Sequence, residues 1–178
     1  TALSLHANLM DNRFDFSNAY IISTGCAGSA IEYGVMGDVF VITATVDYDL
    51  GHHADARELT TDVETTWFHD ESYDDASHKI LNQELCDKVY NLVKDVEIET
   101  TEKTRAFMAA TFENADWAIR DPKVLRGTTV TGDNYWKGQH GHENALLMAE
   151  TYACPDPYAL TEMEDNAMAV VLDRLGML

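Results

Sequence analysis

Apolar positions along the chain change their period several times, and the changes divide it into alternating strands and helices. Over Thr1–Met10, Leu3, Ala7 and Met10 recur at near-helical spacing with Leu5 and Leu9 beside them, which predicts the tail of a helix already under way. Ala19–Thr24 is β-branched and aromatic and stops at Gly25–Cys26–Ala27–Gly28, the pattern of a buried strand ending in a small-residue loop. Gly37–Val46 is almost continuously apolar and predicts a strand covered on both faces. No period holds from His52 to Asp75; this polar stretch, with Trp67, Phe68 and Tyr73 as anchors, reads as a lid or specificity loop.

Helical spacing returns over Ala76–Val93, with Ile80, Leu81, Leu85, Val89, Leu92 and Val93 on one stripe and Asp74 and Asp75 ahead of it. A helix follows over Glu102–Asp116, then a strand over Val124–Thr131 bounded by Pro122 and Gly132. The last helices are predicted over Glu143–Tyr152 and Leu160–Leu175, parted by Pro155 and Pro157 and stopped by Gly176. Strands alternating with helices imply an α/β sandwich with a largely parallel sheet, in one domain spanning residues 1–178. Ligands of such sheets collect at the carboxyl ends of the strands, so Gly25–Gly28, Thr131–Trp136 and the residues before the last helix share one rim.

Composition narrows the partners. The 178 residues carry 12 Lys+Arg against 31 Asp+Glu, a net charge of −19 that repels phosphate backbones and anionic headgroups, so nucleic acid and acidic membranes are poor partners. With 24% charged and 46% hydrophobic residues the chain is globular in composition. No apolar run reaches the ~18–20 residues of a membrane helix, and a soluble chain is expected. Cys26, Cys86 and Cys154 cannot all pair within one monomer, which leaves the compartment open. A start at Thr1 without an initiator Met is expected of a processed or excised product.

Several clusters on the rim carry chemistry. Small residues at Gly25–Gly28 let backbone N–H groups approach an anion or a sugar hydroxyl, as a plain tight turn also would. Neither G-x-G-x-x-G nor G-x-x-x-x-G-K-[ST] occurs, which removes the main support for nucleotide-triphosphate chemistry. Thr131–Gly132–Asp133–Asn134–Tyr135–Trp136 combines a hydroxyl, a carboxylate and two aromatics suited to gripping a ring. Glu162–Met163–Glu164–Asp165 places three carboxylates at a helix start, where capping is the simplest role. His52–His53–Ala54–Asp55 and His140–Gly141–His142–Glu143 lack a third ligand at a recognisable spacing, and no metal is expected. Cys26 has no nucleophile signature around it and reads as a small buried residue.

The order of these pieces is more specific than any one of them. Arg13–Phe14–Asp15–Phe16–Ser17, Thr24–Gly25–Cys26–Ala27–Gly28, Gly132–Asp133–Asn134–Tyr135–Trp136 and Thr161–Glu162–Met163–Glu164–Asp165–Asn166–Ala167 together resemble the purine nucleoside permease family, itself similar to the nucleoside phosphorylase superfamily. The resemblance implies a three-layer αβα sandwich with a mostly parallel or mixed central sheet, and a nucleoside held across its carboxyl rim. It implies that Glu164 accepts hydrogen bonds from the ribose hydroxyls and stabilises oxocarbenium charge, with Met163 beneath the sugar and Glu162 on the pocket wall. Tyr135, with Trp136, would stack on the base beside Asp133, while Gly25, Cys26 and Gly28 would face the ribose and any phosphate.

The implied ligand is a purine nucleoside or nucleobase, with no cofactor, phosphate as a candidate co-substrate, and a homo-oligomer as the candidate assembly. Lys137 departs from the His usual after the Tyr–Trp pair, which bears on base selectivity. The superfamily's general acid and first strand have no counterpart here, so the chain is expected to be the middle of a larger protein. Three functions stay open: N-glycosidic cleavage by phosphate or water, nucleoside binding for uptake, and a silent storage role.

Overall fold

The computed structural model describes residues 1–60, 65–113 and 115–178. Its centre is a five-stranded mixed sheet in the order β1–β7–β6–β2–β5, flanked by helices. Strands β2 (Val39–Asp47) and β6 (Val124–Thr131) run parallel, in register from Val39↔Val124 to Asp47↔Thr131 with one irregularity between Ile42 and Ala44. Strand β7 (Tyr158–Glu162) is parallel to β6, and β1 (Gly28–Ser29) adds to it antiparallel through Gly28↔Thr161. Strand β5 (His78–Ile80) closes the other edge antiparallel to β2.

Alternation along these strands sends successive side chains to opposite faces. Val46 and Val130 meet Ala145, Met148 and Ala149 of helix α5 (Gln139–Thr151) in the main core, together with Trp67 and Tyr158. Their neighbours Thr45 and Thr131 turn to the other face and meet helix α6 (Asp165–Arg174): Thr45 Oγ1 donates to Asn166 Oδ1 at 3.0 Å, and the Asn166 amide donates to Thr131 Oγ1 at 3.1 Å. Helices α5 and α6 therefore cover opposite faces. The buried threonines are affordable because each of these hydroxyls has a partner.

Helices α1 (Ala2–Leu9), α3 (Gln83–Val93) and α4 (Glu102–Thr111) complete the long helices. Asn82 Oδ1 caps α3 through the Leu85 N–H, and Thr101 Oγ1 caps α4 through the Thr104 N–H.

Four expectations are corrected. Ala19–Thr24 forms no strand, and Tyr20 and Ile22 are 79% and 80% exposed; β-forming residues need a neighbouring strand, and pairing here begins only at Gly28. The predicted helix over Ala76–Val93 is three elements, a short α2 (Asp74–Ser77), β5 and α3, because His78–Lys79–Ile80 is captured by the edge of β2. The predicted helix over Leu160–Leu175 begins with β7, and α6 starts only at Asp165.

The expected loop from His52 to Asp75 contains a hairpin of β3 (His52–His53) with β4 (Trp67–Phe68), anchored by the 2% exposed Trp67; its residues 61–64 lie outside the described residues. Smaller shifts affect α5, which begins at Gln139 rather than Glu143, and α4, which stops at Thr111; Asn114, within its predicted span, lies outside the described residues. Strand β2 is buried over Thr43–Val46, whereas Val39 at its start is 51% exposed.

Candidate functional site

A cleft of about 480 Å³ opens at the carboxyl ends of β6 and β7. One wall is the loop after β6. A Cβ at Gly132 would fall 2.9 Å from the Trp136 ring, so glycine there lets the indole fold back over the strand end. Trp136 then stacks on Tyr48 with centroids 4.5 Å apart and planes 13° off parallel, while its Nε1 is buried with no hydrogen-bond partner among the described residues. Tyr135 beside it is 81% exposed and lines the cleft. The facing wall is β1 with the turn after it, from Gly28 to Ile31; a Cβ on Gly28 would press on Thr161 Cγ2 at 3.1 Å.

The end of β7 forms the wall nearest α6. Glu162 Oε1 accepts from Thr129 Oγ1 at 2.9 Å and from Thr131 Oγ1, while Oε2 accepts from the Asp165 N–H at 2.7 Å and the Glu164 N–H. One carboxylate thus ties β6 to the first turn of α6, where the helix dipole favours negative charge. Met163 follows and lines the cleft, 46% exposed. The Glu164 carboxylate is exposed and folds back to accept from the Met163 N–H at 3.3 Å.

Of the residues singled out in the sequence, the cleft gathers Gly28, Tyr135, Trp136, Glu162 and Met163. Glu164 stands one residue beyond its wall. Gly25 and Cys26 are exposed outside the lining, and Asp133 turns its N–H to Asp49 Oδ2 with its side chain exposed. The histidine pairs disperse: His52 bonds Asp70 at 2.8 Å, His140 approaches Glu143 at 3.4 Å, and His142 bonds Glu32 at 3.0 Å. Among the described residues no three His, Cys, Asp or Glu side chains come together as a metal set, and no helix is long and apolar enough to cross a membrane.

Sequence reading gave no ligand-site role to Tyr158, His142, Asp165 or Asp47. Tyr158 opens β7, is 3% exposed and lines the cleft floor; burial, then the nearby Glu32 charge, pushes its phenol above the ordinary range. His142 on α5 reaches Glu32 after β1, a contact across 110 positions that no local pattern announces. Asp165, which accepts from Ser23 Oγ at 3.1 Å, is pushed up to about 6 by burial and then by the Glu162 charge. Asp47, at the end of β2, is likewise raised by burial, although it accepts from the Asp49 and Leu50 N–H groups.

A family model described as purine nucleoside permease matches residues 1–178. The chain belongs to the purine nucleoside permease family. A "probable purine nucleoside permease" of Schizosaccharomyces pombe is 28% identical over 97% of this chain and 54% of its own length, and a purine nucleoside permease of Candida albicans is 25% identical over 98% and 46%. The chain thus spans about half the length of the curated permeases it matches.

Among solved structures, 5′-methylthioadenosine/S-adenosylhomocysteine nucleosidase from Neisseria meningitidis aligns with a TM-score of 0.51 at 19% identity, covering 98% of this chain and 57% of that one. The enzyme of the same name from Helicobacter pylori aligns with 0.53 at 16%, covering 98% and 56%. At these identities the likeness is one of fold: this permease-family chain shares the nucleosidase-type α/β sandwich.

Proposed function

We propose that the cleft binds a purine nucleoside and that the protein cleaves its N-glycosidic bond. The observation that carries this reading is the convergence of Gly28, Tyr135, Trp136, Glu162 and Met163, from three separate stretches of sequence, on one cleft at the carboxyl rim. Tyr135 offers an exposed aromatic face for the base beside the fixed Trp136–Tyr48 stack. Met163 lies under the ribose, and Glu164, swinging from its neighbour's N–H, accepts from the ribose hydroxyls and stabilises oxocarbenium charge as the bond breaks. Glu162 holds this turn in place and is a positioning residue.

Water is the acceptor this reading favours over phosphate. Among the described lining residues Lys137 is the one Lys or Arg, and it stands beside α5, away from the β7–α6 turn where the ribose sits. The names of the family and its curated relatives favour a second reading, nucleoside binding without turnover as a component of uptake. Incubation with inosine and with adenosine, with and without phosphate, separates these. Free ribose at a phosphate-independent rate is expected. Ribose 1-phosphate formed only with phosphate overturns the choice of water, and bound nucleoside without base release transfers the cleft to the uptake reading.

A further inference from the structure

Trp136 lines the cleft without a hydrogen bond from its indole N–H to any described residue, so packing alone fixes its ring. A Cβ at Gly141 on α5 would fall 2.8 Å from Trp136 Cε3, as one at Gly132 would fall 2.9 Å from Cδ1. Two glycines thus make room for the indole, and the stacked Tyr48 ring supports one of its faces. The wall of the cleft stands only as firmly as Tyr48 does.

Tyr48 is in turn placed by Asn144, a 1% exposed residue of α5. The Thr66 N–H donates to Asn144 Oδ1 at 3.2 Å, and because a backbone N–H only donates, this contact fixes which end of the side-chain amide is oxygen. Oδ1 also accepts from Thr65 Oγ1 at 2.9 Å, while Nδ2 donates to Thr66 Oγ1 at 2.6 Å and to the Tyr48 hydroxyl at 3.2 Å, which uses the full capacity of the amide. Thr65 and Thr66 lead into β4, and the His53 ring of β3 lies 5.4 Å from that of Tyr48, so the β3–β4 hairpin also bears on this tyrosine.

We infer that Asn144 is a positioning residue for the cleft: by joining the hairpin to the Tyr48 hydroxyl it fixes Trp136 as a wall against which the nucleoside packs. This rests on the nucleoside-binding reading of the cleft and adds to it a residue outside the lining. A buried amide with every partner satisfied has one low-energy orientation, and without it the Tyr48 hydroxyl loses its one partner among the described residues. A loosened wall must be ordered when ligand binds, so affinity falls although no group touching the ligand has changed.

Calorimetric titration with inosine and near-ultraviolet circular dichroism test this on the wild type, Asn144→Ala, Tyr48→Phe, Trp136→Phe, and Tyr48→Phe combined with Trp136→Phe. Subtracting the Trp136→Phe spectrum isolates the Trp136 band. Asn144→Ala is expected to shrink that band and to weaken inosine binding about tenfold. Tyr48→Phe, which keeps the ring and stays informative if Asn144→Ala fails to fold, should weaken binding about fivefold, the scale of one hydrogen bond. Because its effect runs through Trp136, the Tyr48→Phe loss should drop below about twofold in the Trp136→Phe background. A residue that only stabilised the fold would lower the melting temperature and leave the band and the affinity of the folded protein as they were. An unchanged band or an unchanged affinity in a folded variant, or an equal Tyr48→Phe loss in both backgrounds, overturns the positioning role while leaving nucleoside binding intact. No inosine binding by the wild type overturns the binding reading and the positioning role with it.

Discussion

Replacing Glu162 by Gln isolates what its charge does at the β7–α6 turn. The carboxylate accepts four hydrogen bonds, two from the Thr129 and Thr131 hydroxyls and two from the Glu164 and Asp165 backbone N–H groups. A glutamine amide has one accepting and one donating end. The hydroxyls can rotate and accept, but the amides cannot, so the glutamine oxygen must face the helix and its NH2 the threonines. Both amide bonds survive as neutral rather than charge-assisted contacts, at a loss of about 1 kcal/mol each, and the favourable charge at the start of α6 removes about 0.3–1 kcal/mol more.

The expected destabilisation is about 2–3 kcal/mol, or a fall in melting temperature of roughly 5–10 °C for a domain of this size. Glu162→Ala, which also leaves the hydroxyl of the fully buried Thr129 without its acceptor, should lose about 3–5 kcal/mol. Urea unfolding followed by far-ultraviolet circular dichroism at pH 7 reads both, with the midpoint falling at unchanged slope. A Glu162→Gln protein within 0.5 kcal/mol of wild type would refute the positioning role, above all if it had also lost nucleoside binding.

Other substitutions separate binding from stability. Glu164→Gln should weaken inosine binding by about 1.5–3 kcal/mol in calorimetry, with the melting temperature held. Tyr135→Ala, at an 81% exposed position, should cost about 1–3 kcal/mol of purine affinity and little stability, whereas Trp136→Ala, which breaks the stack on Tyr48, should lower both. A loss of affinity confined to Trp136→Ala would reverse the two roles.

Asp165 gives a pH test. Its folded-state pKa of about 6 lies above the ordinary carboxylate value, so its contribution to stability is complete below about pH 4 and is lost as pH rises through 6. Asp165→Asn should therefore gain up to about 2 kcal/mol at pH 7 and flatten the dependence between pH 4 and 6. Equal or lower stability at pH 7 with an unchanged slope would count against it.

Strand β2 was legible because a nearly continuous apolar run marks it, β6 because Pro122 and Gly132 bound it, and α5 because its core-facing positions Ala145, Met148, Ala149 and Tyr152 keep a helical period. Short edge strands were not. His78–Lys79–Ile80 has no pattern of its own and becomes β5 only because β2 offers an open edge. At the other misread junction, Leu160 and Met163 fit a helical stripe equally well, yet Tyr158–Glu162 pairs with β6 and leaves Glu162 at the strand end, where it can cap α6. This displacement moves the acidic motif from the first turn of a helix to the strand end and turn beside the cleft.

The site followed the same division. The rim rule and the family resemblance pointed to Gly28, Tyr135, Trp136, Glu162 and Met163, which the cleft gathers. Tyr158 and the Glu32–His142 pair depend on contacts between distant segments, and only the folded chain brings them together.

The central claim is that a purine nucleoside occupies the cleft between the loop after β6 and the turn after β1. Amide hydrogen exchange of the protein with and without saturating inosine tests it most directly. Exchange is predicted to slow over residues 28–31, 134–142 and 158–164, with the Phe14–Ile21 segment and the exposed end of α3 unchanged. Unchanged exchange in the first three segments at saturation, or slowing confined to Phe14–Ile21 and the second cleft it lines with Leu9 and Met177, would contradict the account.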